Sequence, residues 1–297
     1  SLSNILPHLR SYLEVCQKSL VGYMHTKRVA FPRFFFLSDA QLLDILGRST
    51  DPSTIQPHLL NLTSNVASVG FNQLMQVTDW TSSEGEVTRL MVPLNPENDI
   101  VVWLTKLLAA MRKTLTIITV QLHDDVLKRF DDFWTKEVYG YMTQYIGQLS
   151  LLGLQLLWTH DCETMLLNVK HEKTVVAAKL KRAKHLMDAM VVVSKDPSLS
   201  SCARLKLETM ITVQLHQLDV IVNLARNARK LRGVHDFDWV KQLRCNWRGE
   251  KEEVVVSVTD VDFAYGYEYI GCVERLVVTD LTDRIYISCA QAMGMHF

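Results

Sequence analysis

Residues 103–122 read WLTKLLAAMRKTLTIITVQL, and their apolar side chains recur at Leu104, Leu108, Met111, Leu115, Ile118 and Leu122. Steps of three and four put these residues on one side of a helix and the charged ones on the other. The same spacing returns at Leu6, Leu9, Leu13, Cys16 and Leu20, and at Val138, Met142, Tyr145, Leu149, Leu152 and Leu156. Two further stripes are Val176, Leu180, Ala183, Met187 and Met190, then Leu207, Ile211, Leu215, Leu218, Val222 and Ala225. Long helices with one broad apolar stripe bury those stripes against each other. The pattern therefore predicts a mainly α, elongated set of helical bundles. No internal repeat of fixed period interrupts it.

The breaks fall where turn chemistry puts them. Ser49-Thr50-Asp51-Pro52 reads as a stop, an N-cap and a proline in a first helical turn. Pro93–Asn98 and Ser194–Ser201 separate successive stripes and are candidate hinges. Two stretches read as β. Residues 75–92 flank Ser82-Ser83-Glu84-Gly85-Glu86 and predict a hairpin. Near the C-terminus Val254, Val256 and Val258 alternate with polar residues, followed by the aromatic run Phe263–Tyr269, and Thr282-Asp283-Arg284 restarts a helix. The change of character predicts a boundary inside Trp247–Lys251, dividing helical residues 1–250 from an α/β start at 251–297.

Composition narrows the function classes. With 48% hydrophobic and 22% charged residues, the 297-residue chain can build a large core. Lys and Arg balance Asp and Glu at 32 each, without the basic excess of a nucleic-acid binder. No apolar run approaches the roughly 18 residues of a membrane span. Neither nucleic acid nor membrane is expected as a partner. The start, Ser-Leu-Ser-Asn, reads as neither an initiator nor a secretory signal, and the end stops on Met293-Gly294-Met295-His296-Phe297. The expectation is a piece of something longer. Six cysteines are scattered without a CxxC pair, which suits free thiols in a reducing compartment.

A complete active site is not legible. Gly266 and Gly271 have four residues between them, but Cys272 stands where a phosphate loop needs lysine. His160-Asp161-Cys162-Glu163 point in different directions on a helix and do not converge on a metal. Asp124-Asp125 and Asp131-Asp132 look like paired carboxylates, but 124, 128 and 131 lie on one side of a helix, which reads as a solvated face carrying Lys128 rather than an acid–base pair. His216 and Asp219 would lie side by side, a packed histidine by default. Lys170, Lys173, Lys181 and Lys184 fall within about 80° on a helical wheel. That is a solvated face by default, or else a docking face for an acidic protein surface.

Several stretches taken in order resemble the linker region of dynein heavy chains. KRVAFPRFFFLSDAQLLDIL at 27–46 is similar to the family's basic, FPRF, aromatic and LL signature, and Asp51-Pro52 with Ile55-Gln56-Pro57-His58-Leu59 continues it. Ser83-Glu84-Gly85-Glu86 resembles the turn of the linker hairpin. Gly147-Gln148-Leu149, Gln155–Thr159 and Leu215–Val220 resemble later linker helices. Phe263–Gly271 and Arg275–Arg284 resemble the start of the first AAA+ module. Gly271–Arg275 and Ala290–Met295 are more similar to axonemal outer-arm chains than to cytoplasmic dynein.

The resemblance implies a mechanical lever lying over a ring of AAA+ modules, bending and straightening with the nucleotide state of the first one and so moving along microtubules. It implies ATP or ADP with Mg in the adjoining module, whose phosphate loop would follow Phe297, and no cofactor or hydrolysis in this segment alone. It implies as partners the ring of the same heavy chain, other heavy, intermediate and light chains, and microtubules indirectly, in the cytoskeleton of a ciliary axoneme. Leu276, Val277, Val278 and Leu281 would form an adenine wall. Asp280 departs from the family, which usually carries proline there. The competing reading is a non-enzymatic helical scaffold or tether that holds acidic partners through the lysine face.

Overall fold

A computed structural model describes residues 2–48, 51–128, 138–168, 173–227, 233–273, 275 and 277–295. The described residues are mainly helical, with two three-stranded antiparallel sheets, and the chain divides into two compact units, Ser1–Lys113 and Thr114–Phe297.

The first unit opens with α1 (Leu2–Ala30), followed by a 3-10 turn at Pro32–Phe36 and α2 (Asp39–Gly47). Phe31 extends before Pro32, and its ring meets Phe34 edge to face at 4.9 Å. Arg28 fixes this corner by donating to the Leu37 carbonyl at 3.0 Å and to Asp39 at 2.8 Å. Ser38 and Gln41 cap α2 reciprocally. A second 3-10 turn, Pro52–His58, starts with Asp51 accepting from the Ser53 N–H, and leads into α3 (Leu59–Leu62). The stripe Leu6, Leu9, Leu13 and Leu20 does not pack as expected. These side chains are exposed, and no described residue covers them.

The sheet of this unit is β1 (Ser68–Phe71), β2 (Val77–Thr81) and β3 (Val87–Leu94), paired in that order. The expected hairpin is β2–β3, and β1 adds a third strand. Gly85 takes φ +84° in its turn, a conformation that favours glycine. Buried Asn65 pins the turn, accepting from the Ser83 N–H at 3.1 Å and donating to Glu84 at 2.9 Å. The open edge of β1 is met by a side chain: Gln56 donates to the Val69 carbonyl at 2.7 Å and accepts from its N–H at 3.0 Å. Trp80, Trp103, Phe34, Leu42 and Ile55 are among the buried side chains of this unit.

The helix α4 (Ile100–Lys128) gives its first half to this unit and its second half to the next. In the second unit follow α5 (Val138–Gln144), α6 (Gly147–Asn168), α7 (Lys173–Ser194), α8 (Ser201–Arg226) and α9 (Phe237–Val240). The stripe from Val138 to Leu156 is buried, but it belongs to two helices that part at Tyr145. The Tyr145 carbonyl leaves the helical pattern and accepts from Lys206 Nζ and from the Ser150 hydroxyl. Tyr141 donates to the Ser150 carbonyl at 3.0 Å, passing over Gly153, where a Cβ would stand 2.1 Å from the phenol oxygen. Asp125 does not lie on a purely solvated face, because it accepts from Tyr145 and from Gln144. Asp131 and Asp132 lie outside the described residues, as does the side chain of Lys128.

α6 is buried on nearly every side. Trp158 meets Trp239 edge to face at 5.0 Å, packed with Met165, Ile221 and Leu224. The buried face of α8 is Leu207, Met210, Gln214, Gln217, Ile221 and Leu224, turned from the expected stripe. Leu215, expected inside, is 47% exposed. Glutamines take two inner positions. The Gln214 side chain donates to the Ala183 carbonyl, and the main-chain carbonyl of Gln217 accepts from the Trp158 indole, both at 3.2 Å.

The second sheet is β4 (Arg244–Arg248), β5 (Glu253–Val258) and β6 (Val261–Ala264), followed by α10 (Asp280–Gly294). Residues 244–248 pair with 253–257, so the change of character expected at 250 falls in the turn of one hairpin. The Ser194–Ser201 break is an ordered turn: Asp196 accepts from Ser198, and Arg204 donates to the carbonyls of Ser194 and Asp196.

Candidate functional site

The residues with most bearing on function lie where the extended segment 265–273 and α10 meet the helices of the second unit. The segment leaves β6 with Tyr265 N–H donating to the Val254 carbonyl at 2.9 Å. It then runs past the first turn of α6, where Gln148 is 2% exposed. Gln148 Nε2 donates to Tyr265 Oη and to the Glu268 carbonyl, each at 2.8 Å, and its Oε1 accepts from the Ile270 N–H at 2.9 Å. A glutamine amide offers two donors and one strong acceptor. Here all are used on one segment.

Beyond the segment, a cleft of about 120 Å³ opens among α8, α9 and α10. Its walls include Trp158, His216, Lys241, Val278, Asp283 and Tyr286. Lys241 Nζ stands 3.7 Å from Asp283 and ties the first turn of α10 to the end of α9. Burial pushes the His216 imidazole below its ordinary pKa, and Lys241 adds to this. Asp283, a hydrogen bond with the Gln242 side chain and Asp219 act in the opposite direction. His216 thus faces Asp283 and Gln242 as well as Asp219, and the exposed Asp219 makes no dyad with it alone.

α10 starts by reciprocal capping between Thr279 and Thr282. The cap is Thr279, and Asp280 occupies the first helical position. That position has no intrahelical partner for its N–H, so proline and aspartate are both suited to it, the first by its fixed φ and the second by the helix dipole. The last turn packs closely on β6: a Cβ on Gly294 would lie 2.7 Å from Val261.

Three of the four residues expected to form an adenine wall are described. Leu276 lies outside the described residues. Val277 and Leu281 are exposed, at 67% and 69%, while Val278 is half-buried and turned into the cleft. Val277 and Leu281 are open to contact with a base, but the chain has no phosphate loop to hold the rest of a nucleotide.

Other sequence candidates have structural partners. Asp161 is buried and paired with Lys179 at 2.9 Å and with Arg182. The Cys162 thiol is pushed well up by burial, and the Glu163 carboxyl is raised by burial against the pull of Arg244. His160 is on the outside. These four side chains diverge around α6. Lys181 and Lys184 are exposed on α7, whereas Lys170 and the side chain of Lys173 lie outside the described residues. Sequence reasoning on side-chain chemistry missed Gln148. Only its place in the Gly147-Gln148-Leu149 resemblance marked it.

Comparison with known proteins gives this geometry its context. A family model described as "Dynein heavy chain, N-terminal region 2" matches residues 1–122, and one described as "Hydrolytic ATP binding site of dynein motor region" matches residues 265–297. Dynein axonemal heavy chain 5 of Rattus norvegicus is 38% identical over 298 residues, 99% of this chain and 8% of that protein. Dynein axonemal heavy chain 8 of Mus musculus is 37% identical over 300 residues, 100% of this chain and 6% of that protein. The Dynein gamma chain, flagellar outer arm, of Chlamydomonas reinhardtii is 36% identical over 298 residues, 99% of this chain and 6% of that protein. The chain thus spans less than a tenth of the length of each of these relatives. Its first 122 residues match one dynein model, the segment leaving Gln148 leads into another, and the relatives align along its whole length; the chain belongs to the dynein heavy chain family.

Proposed function

We propose that this chain is the force-transmitting linker segment of an axonemal dynein heavy chain, an ATP-driven microtubule motor of cilia and flagella. Residues 1–250 serve as the helical lever, and 251–297 begin the first AAA+ module. The observation that carries this reading is the junction at Gln148. Residues similar to the hydrolytic site region are tied by three hydrogen bonds of the buried Gln148 to a helix of the second unit. A lever needs such a join, because displacement is passed on only by elements held in one arrangement. The nucleotide and its Mg are held by the adjoining module, to which this segment offers at most the apolar side chains Val277, Val278 and Leu281 near the base. The partners are the ring of the same heavy chain, the other dynein subunits and, indirectly, microtubules. The axonemal relatives support a place in the ciliary axoneme.

A scaffold that never changes shape is not favoured. It has no use for a segment similar to a hydrolytic ATP site. The test is a donor–acceptor pair placed on α2 and on the ring of a recombinant motor. The lever reading expects the transfer efficiency to change between the ATP-bound and nucleotide-free states. Unchanged transfer in a motor that still moves microtubules overturns it.

A further inference from the structure

α6 is the most deeply buried long helix of the second unit, yet one of its faces is polar. Gln148, Gln155 and Thr159 are seven and four residues apart, a spacing that aligns them along one side of a helix. Each meets the strand-bearing C-terminal part of the chain. Gln148 holds Tyr265, Glu268 and Ile270 as described. Gln155 Oε1 lies 3.5 Å from the Cys245 thiol, and Thr159 Oγ1 accepts from the Cys245 N–H at 3.1 Å. Burial pushes the Cys245 thiol up to about 12, so it stays protonated and able to donate. β4 is thereby held at one end of the face and the segment 265–270 at the other.

Apolar contacts are non-directional, and two apolar surfaces can slide with little change in area. A buried amide is different: moved by one residue, it leaves its own groups and those of the backbone unpaired. Gln148 meets a carbonyl and an N–H two residues apart, as an adjoining strand would. A slip of one residue would break all three bonds together.

We propose that Gln148 is the fastener that passes movement between the helices of this unit and the segment leading into the hydrolytic site region. It is a positioning residue that fixes the register of residues 265–270 on α6. This rests on the lever reading above, and it adds which side chain carries the coupling. Gln155 and Thr159 hold β4 in the same register.

The test uses the motor portion of the heavy chain with its ring, as wild type, Gln148→Leu and Gln148→Glu. Leucine keeps approximate volume and removes all three bonds. Glutamate keeps the acceptor for Ile270 and loses both donations. Three quantities are read: ATP turnover without microtubules, gliding velocity, and exchange of the Ile270 amide hydrogen. The expectation for Gln148→Leu is Ile270 exchange faster by about tenfold or more, with β4–β6 amides unchanged. ATP turnover stays within about twofold of wild type while velocity falls by about fivefold or more, the scale of an ordinary coupling energy between sites. Gln148→Glu falls between the two.

Velocity unchanged despite faster Ile270 exchange overturns the proposal, because the bonds are then not used in transmission. Velocity and turnover falling in equal proportion overturn it too, since that is what a merely structural residue produces. If Gln148→Leu does not fold, Gln148→Glu is judged by the same ratio of velocity to turnover. The wild-type donor–acceptor measurement separates the two levels. No nucleotide-dependent movement in wild type overturns the lever and the fastener together, whereas movement in wild type with full velocity in both variants overturns the fastener alone.

Discussion

Asp280 stands where the resemblance leads one to expect proline, and the start of α10 suits either residue. It stands first in α10, behind a Thr279 cap whose backbone is extended at φ −123° and ψ 168°. An extended residue is what proline requires before it, and the first helical N–H has no carbonyl to bond. Asp280→Pro is therefore expected to change the stability of this unit by less than about 0.5 kcal/mol in denaturant unfolding. Ile285→Pro, one turn further in, removes a helix hydrogen bond and should cost about 3 kcal/mol or more. A similar loss from both would show that the helix starts earlier than Asp280. Cap and turn residues such as Asp51 and Gly85 were readable in the sequence because their chemistry is local, whereas the last helix starts at Asp280 behind a Thr279 cap rather than at Thr282 as expected. Gln56 and Gln148 were not readable by that route. Each places its amide against an N–H and a carbonyl of a distant segment, and nothing in the neighbouring residues announces that partner.

Between elements, the informative case is the α6–α7–α8 packing. Periodicity identified each helix, but it turned α8 the wrong way, favouring Leu215 over Gln214 and Gln217. Apolar stripes locate a buried face only when the inner positions are apolar, and here the Ala183 carbonyl on α7 provides the hydrogen bond that lets the Gln214 amide in. The same packing holds a buried carboxylate. Asp161 on α6 is 7% exposed at its side chain, and its two cations, Lys179 and Arg182, lie one turn apart on α7 at 20% and 17%. Removing the central partner leaves two cations together in a poorly solvated place. Asp161→Asn is expected to cost about 3 kcal/mol or more in denaturant unfolding, the range for breaking a buried pair. The exposed pair Arg10–Glu14, with side chains 82% and 62% exposed, is the internal comparison. Glu14→Gln should cost well under about 1 kcal/mol. Equal losses from the two variants would mean that Asp161 is solvated in use, and that α7 is held by its apolar side chains alone.

Across the whole chain the two units differ in what acid does to them. In Ser1–Lys113 the displaced groups among the described residues are carboxyls held below their ordinary range. Asp51 is lowered by its bonds with Ser53, Asp99 by the Val101 N–H and Lys27, and Glu84 by Asn65, Ser82 and Ser83 against the opposing effect of burial. A lowered carboxyl adds stability that is present above the unfolded value near 4 and is lost as pH falls through the folded value. The second unit has one such group in Asp196, and it also has His216, lowered chiefly by burial, while Glu163, raised by burial, takes up its proton first in the folded state and opposes the His216 effect. A lowered histidine is neutral in the folded state, so the unfolded chain binds more protons once pH drops below about 6.5, and stability falls with it. The second unit should therefore weaken between pH 7 and 5.5, a window in which the carboxyls of the first unit are still ionised. Hydrogen exchange at pH 7.5 and 5.5, corrected for intrinsic rates, should show protection lost in α8 and kept in β1–β3. His216→Gln should remove part of the loss in α8, because an amide does not take up the proton. Equal loss in both units, or a loss in α8 that His216→Gln leaves untouched, would place the acid sensitivity in other groups. The cleft at His216 also contains Lys241 and Asp283, so protonation there adds a third charge beside an existing pair. Acid sensitivity is thus expected next to α10, which the lever reading assigns to the start of the first AAA+ module.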